Sequence, residues 1–162
     1  MLGNFPLHLC IFSLEMKSEV IRTNDDAVSC RVSAVALGYL QDPFVTLLDS
    51  SQRTTSSKQR KSPLMNRGTY IRTKGIDHII LEQLRQEETS VQIVSLGAGS
   101  DSRYFRLSSQ YPDLMKNVFY TELDYPEVTS KKTRLIYKHK DQLLSQLIEP
   151  SLSKQARDCD IT

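Results

Sequence analysis

Apolar and polar positions divide the chain into segments of different period. The apolar stretch at 7–14 is short and carries His8 and Cys10. From Thr23 the run Thr23-Asn24-Asp25-Asp26 offers capping oxygens and first-turn acids ahead of Val28, Val32, Val35 and Ala36, with Gly38 as a stop. That pattern predicts a helix of about a dozen residues. Residues 39–48 follow, where Asp42-Pro43 is placed to start a second short helical segment. Ser, Thr, Gln, Lys and Arg fill 50–62 without apolar period, which predicts a polar surface loop. Ile76, Ile79, Ile80 and Leu84 then recur at helical spacing, with Asp77, Glu82, Gln83 and Gln86 assigned to the other faces and His78 to the surface or to packing.

The next segment changes period. Val91-Gln92-Ile93-Val94-Ser95-Leu96 is a β-branched run that stops at Gly97-Ala98-Gly99, the form of a buried parallel strand entering a glycine turn. Residues 102–110 suit a crossover helix and 118–123 a second strand. The handedness of such connections sets the second strand beside the first in parallel, as one βαβ unit. Pro126 opens a last helix whose register runs through Val128, Leu135, Leu143, Leu144 and Leu147. No internal repeat is visible.

Composition changes little in this picture. The chain has 162 residues, 39% of them hydrophobic and 25% charged, which suits one soluble domain. A formal charge of +2 is too small to make nucleic acid or an anionic membrane the default partner. The basic loop residues Arg53, Lys58, Arg60 and Lys61 have no interleaved aromatics to stack on bases. The stretch at 7–14 is much shorter than the roughly 20 apolar residues of a membrane span. No basic residue precedes it and no small-residue cleavage pattern follows, so a secretory signal is not indicated. Cys10, Cys30 and Cys159 lie far apart, in no metal-ligand spacing, and their odd number argues against a disulfide framework. A reducing, cytoplasmic setting is expected, with no metal.

Chemistry concentrates at the glycine turn. A glycine turn after one strand and an acid, Asp124, ending the next follow the logic of a nucleoside-binding α/β fold: glycines admit a ligand to the backbone, and the acid accepts from ribose hydroxyls. Ser102 stands where a dinucleotide fingerprint has its third glycine, which disfavours a pyrophosphate ligand more than a nucleoside without phosphates, such as S-adenosylmethionine. Spacing alone leaves open a methyltransferase, a nicotinamide enzyme and ordinary turn glycines.

Four ordered blocks narrow the choice. They are Asn24-Asp25-Asp26-Ala27-Val28-Ser29-Cys30-Arg31 with Gly38-Tyr39-Leu40, then Pro63-Leu64-Met65-Asn66-Arg67-Gly68-Thr69-Tyr70-Ile71-Arg72-Thr73, then Val94-Ser95-Leu96-Gly97-Ala98-Gly99-Ser100-Asp101, then Glu122-Leu123-Asp124-Tyr125-Pro126. In these blocks the chain resembles the leucine carboxyl methyltransferases that act on protein phosphatase 2A. The sister group of tRNA wybutosine-pathway methyltransferases shares much of the pattern. The resemblance implies an α/β fold: N-terminal cap helices plus the first βαβ part of a Rossmann-like class I S-adenosylmethionine-dependent methyltransferase. It implies that Arg72 holds the cofactor's carboxylate with help from Arg31, that Gly97 faces the cofactor through its backbone, and that Asp124 binds the ribose. The implied acceptor is the C-terminal leucine of the phosphatase catalytic subunit, a carboxylate already ionised at neutral pH, so no catalytic acid or base is assigned.

The expected organisation is a poorly ordered segment at 1–22, a helical cap region at 23–90 containing the loop at 50–62, and an incomplete cofactor domain at 91–162. Later strands of the family, with an acidic-leucine motif that contacts adenine, find no counterpart. The chain therefore reads as the N-terminal part of a methyltransferase, inactive by itself, with two strands whose edges and faces are left uncovered. A non-catalytic phosphatase-binding fragment and the tRNA-modifying sister are the alternative functions.

Overall fold

The computed structural model describes residues 7–11, 18–49, 60–87, 89–145 and 147. Three parallel strands form its sheet: β1 (Leu7–Ile11), β2 (Val91–Leu96) and β3 (Val118–Asp124), in the order β1-β3-β2. Around it lie α1 (Ser18–Ala36), α2 (Pro63–Gln86), α3 (Arg103–Gln110), the short α4 (Pro112–Met115) and α5 (Pro126–Lys138), with residues 140–145 also helical. The expected βαβ unit is present: β2 and β3 pair in parallel from Val91↔Val118 to Leu96↔Leu123, joined by α3 and α4. Among the described residues no helix is long and apolar enough to cross a membrane.

Five local expectations are corrected. The segment at 1–22 is not wholly irregular, because Leu7–Ile11 pairs with β3 from Leu7↔Tyr120 to Ile11↔Asp124, and α1 begins at Ser18. A central β3 has backbone donors and acceptors on both edges, and the short apolar run supplies the second set of partners. Thr23 to Asp26 consequently lie inside α1 and do not cap it. Past the helix, Gly38 does serve as the stop: it takes φ +76, and the Tyr39 N–H returns to the Ala34 carbonyl at 2.8 Å. Residues 43–48 form a turn and not a helix. The Phe44 N–H donates to Asp42 Oδ1 at 3.1 Å, and this side-chain bond competes with helical pairing while Phe44, Val45 and Leu48 go into the core. The loop expected at 50–62 lies mostly outside the described residues.

The last two corrections concern α2 and β2. Asp77, assigned to an outer face, is buried at 4% exposure together with Leu81 and Leu84, whereas Ile79 is 64% exposed. Two arginines of α3 meet Asp77, and turning that carboxylate inward rotates the buried stripe away from Ile76 and Ile79. β2 was expected to be buried on both faces, but its burial alternates. Ile93, Val118 and Tyr120 pack in the main core with Phe44, Leu81, Leu84, Tyr104, Phe105 and Leu107, while Val94 (49%), Leu96 (76%) and Phe119 (51%) are exposed on the opposite face. A parallel sheet normally has both faces covered. Here one is.

Candidate functional site

The C-terminal ends of β2 and β3 meet α1 and α2 around a cavity of about 560 Å³. Its floor is the glycine turn. Gly97 and Gly99 take φ +63 and +56, a left-handed conformation that costs other residues steric energy, so the chain can reverse directly after the strand. The Gly97 N–H donates to the Leu123 carbonyl at 2.8 Å, which continues the β2–β3 pairing into the turn.

Asp124 closes one side. Its Oδ2 accepts from the Gly99 N–H at 2.6 Å and its Oδ1 from the Tyr125 N–H at 2.7 Å. Each oxygen keeps a lone pair, so the carboxylate is oriented and still able to accept from a ligand hydroxyl. Asn24 approaches from α1. It accepts from the Ser100 N–H at 2.9 Å and donates to Ser100 Oγ at 3.2 Å, binding the cap helix to the turn. The approach is so close that a Cβ on Gly99 would stand 2.5 Å from Asn24 Oδ1.

Charge around the cavity is mostly committed to internal pairs. Asp101 receives Arg31 at 2.7 Å and Arg103 at 2.5 Å, and its carbonyl accepts from Lys132 Nζ at 2.7 Å. Burial raises the Asp101 pKa, but the fields of Arg31, Arg103 and Lys132 outweigh it and hold the group below its ordinary value of 3.8. Lys132 also pairs with Glu122, whose pKa burial raises despite that partner. Arg103 extends the network to Asp77 at 3.0 Å, and Arg106 grips Asp77 with both terminal nitrogens at 2.5 and 2.9 Å. Asp42, which accepts from Ser102 Oγ at 2.5 Å, lies 3.9 Å from Arg106. Beneath the network, burial pushes the Tyr120 hydroxyl up to about 12.

Arg72 differs. It stands on the exposed side of α2, lines the cavity, and has no carboxylate partner among the described residues. A guanidinium facing a cavity with its donors uncommitted suits a carboxylate ligand.

All four residues singled out from sequence, Arg31, Arg72, Gly97 and Asp124, line this one cavity. Arg31 is turned to Asp101, while Arg72 is left open. Asn24 and Asp101 lie within two of the four blocks but give no site signal of their own; Asn24 has the pattern of a helix cap, and the use of Asp101 depends on three elements meeting it. Asp77, Arg103 and Arg106 carried no local signal. Among the described residues no cluster of His, Cys, Asp or Glu is arranged to hold a metal ion.

The fit to an S-adenosylmethionine-like ligand rests on three features: the cavity volume, an oriented acid beside a backbone-lined turn, and one arginine without a carboxylate partner among the described residues. Comparison with known proteins agrees in class. Residues 15–149 match the model of a family described as leucine carboxyl methyltransferase. Leucine carboxyl methyltransferase 1 of Cryptococcus neoformans is 43% identical over 139 residues, covering 80% of this chain and 37% of that protein. The protein of the same name from Schizosaccharomyces pombe is 39% identical, covering 75% and 37%, and that from Rattus norvegicus is 33% identical, covering 86% and 40%. The chain thus spans 37 to 40% of the length of these relatives.

Proposed function

The chain belongs to the leucine carboxyl methyltransferase family, and from that premise we propose that the protein is an S-adenosylmethionine-dependent O-methyltransferase acting on the C-terminal leucine carboxylate of the protein phosphatase 2A catalytic subunit. The observation that carries this reading is the meeting in one cavity of the glycine turn, Asp124 and Arg72, which has no carboxylate partner among the described residues. The fold it implies is the first βαβ part of a Rossmann-like class I methyltransferase, with α1 and α2 as a cap, in a cytoplasmic protein.

Each residue has a role set by its chemistry. Arg72 holds the cofactor carboxylate through a planar, two-pronged guanidinium. Arg31, held by Asp101, lines the same cavity and assists. Gly97 and Gly99 let the ligand lie against the backbone, and Asp124 accepts from the ribose hydroxyls. The cofactor, when bound, supplies a methyl group on a positively charged sulfur. A terminal carboxyl has a pKa of about 3.3 to 3.7 and is an anion at neutral pH, so the protein needs no base to activate it. Alignment and exclusion of water are what its residues supply.

Incubation of the full-length gene product with phosphatase and methyl-labelled cofactor tests the reading. Base-labile label on the phosphatase catalytic subunit, lost when its terminal leucine is removed, is the expected result. Label in tRNA alone would move the protein to the wybutosine-pathway group, and phosphatase binding without label would make it a non-catalytic partner.

A further inference from the structure

We infer that Asp77 is a positioning residue that sets the register of α2 and, through it, the reach of Arg72 into the cavity; this rests on the cofactor reading above. Between Pro63 and Ile76 the only buried side chain of α2 is Asn66, and Leu64 and Ile71 are 80% and 65% exposed. This half of the helix lines the cavity, and its side chains other than Asn66 are exposed or half-buried. The other half enters the core through Ile80, Leu81 and Leu84. Asp77 stands at the junction, with a carboxylate buried on α3: Arg106 takes both its oxygens and Arg103 donates to Oδ1 at 3.0 Å.

Apolar contacts alone hold a helix loosely against rotation and sliding, because leucine and isoleucine surfaces repack at low cost. A two-pronged ion pair between a helix carboxylate and arginines one turn apart on α3 has a single register. Such a buried pair adds little net stability once desolvation is counted, and fixing an arrangement is its best-attested use. Arg72 lies five residues before Asp77, about 7.5 Å along the axis and about 140° around it. The pair on the core side thereby fixes the angle at which the arginine on the cavity side projects. Gly75 lies between them, and a Cβ there would meet nothing within 4 Å.

The test uses two probes that share a nucleoside and a thioether: S-adenosylhomocysteine, which carries a carboxylate, and 5′-methylthioadenosine, which does not. In the full-length gene product, Asp77→Asn should weaken the first by about ten- to a hundredfold, the scale for a displaced binding group, and leave the second within about twofold. Arg72→Ala should show the same split. The double variant Asp77→Leu with Arg106→Met removes the pair but keeps an apolar contact, so it should fold and reproduce the loss if Asp77→Asn does not fold. Equal weakening of both probes, or no weakening of either, overturns the positioning role while leaving the cofactor reading intact. Failure of the unmodified protein to bind either probe overturns the cofactor reading itself, and this inference with it.

Discussion

The backbone N–H of Gly99 donates to Asp124 Oδ2 at 2.6 Å across 25 positions of sequence. This bond joins the turn after β2 to the acid ending β3, and so ties together two sides of the cavity.

Alanine at the two turn glycines should separate backbone strain from overlap. At Gly97, where nothing lies within 4 Å of a new Cβ, the left-handed backbone alone should cost about 1–2 kcal/mol of stability. Gly99→Ala adds a collision with Asn24 and should cost more. Urea denaturation of both variants checks the order, and Asn24→Ala combined with Gly99→Ala should recover part of the difference.

Arg72→Ala should lower cofactor affinity by about 1.5 to 3 kcal/mol, the range for hydrogen bonds to charged groups. Because Arg72 is exposed and unpaired among the described residues, the melting temperature should hardly change. Calorimetry showing full affinity in the variant would remove Arg72 from the site. Arg72→Lys should restore only part of the binding, since an ammonium cannot reproduce the fork.

Asp101 predicts a pH effect of definite sign. Its folded pKa lies below the ordinary 3.8, so the unfolded chain binds more protons in that range. Its contribution is therefore present above about pH 4 and lost as pH falls through the folded pKa. Glu122, raised by burial, acts in the opposite sense: its contribution is present below its ordinary value of 4.5 and lost as pH rises through the folded pKa. Denaturation midpoints measured from pH 2 to 7 should show an acid limb that Asp101→Asn flattens. An unchanged limb would show that the Arg31 and Arg103 pairs do not hold in solution.

Residues 1–162 should self-associate, since Val94, Leu96 and Phe119 are exposed on one face of the sheet. Sedimentation should show oligomers that Leu96→Thr with Phe119→Thr reduces. A monomer with strong hydrogen-exchange protection across 91–99 would contradict this.

The sequence by itself determined the elements whose signals are local. The β-branched run before Gly97 and the helix stop at Gly38 follow from the preferences of adjacent residues, as does the βαβ connection. Its four blocks also named Arg31, Arg72, Gly97 and Asp124, which the fold brings to one cavity. Tertiary structure alone decided the rest, because the deciding partners are distant along the chain. Asp77 looked like a surface residue until Arg106, 29 positions away, drew it into the core. Leu7–Ile11 became a strand because β3 had a second edge to pair. Asn24 lies inside α1, which begins at Ser18, and its side chain meets Ser100, 76 positions on. A buried charge or an unpaired backbone group has a cost that periodicity does not record, and only the folded chain shows which distant group meets it.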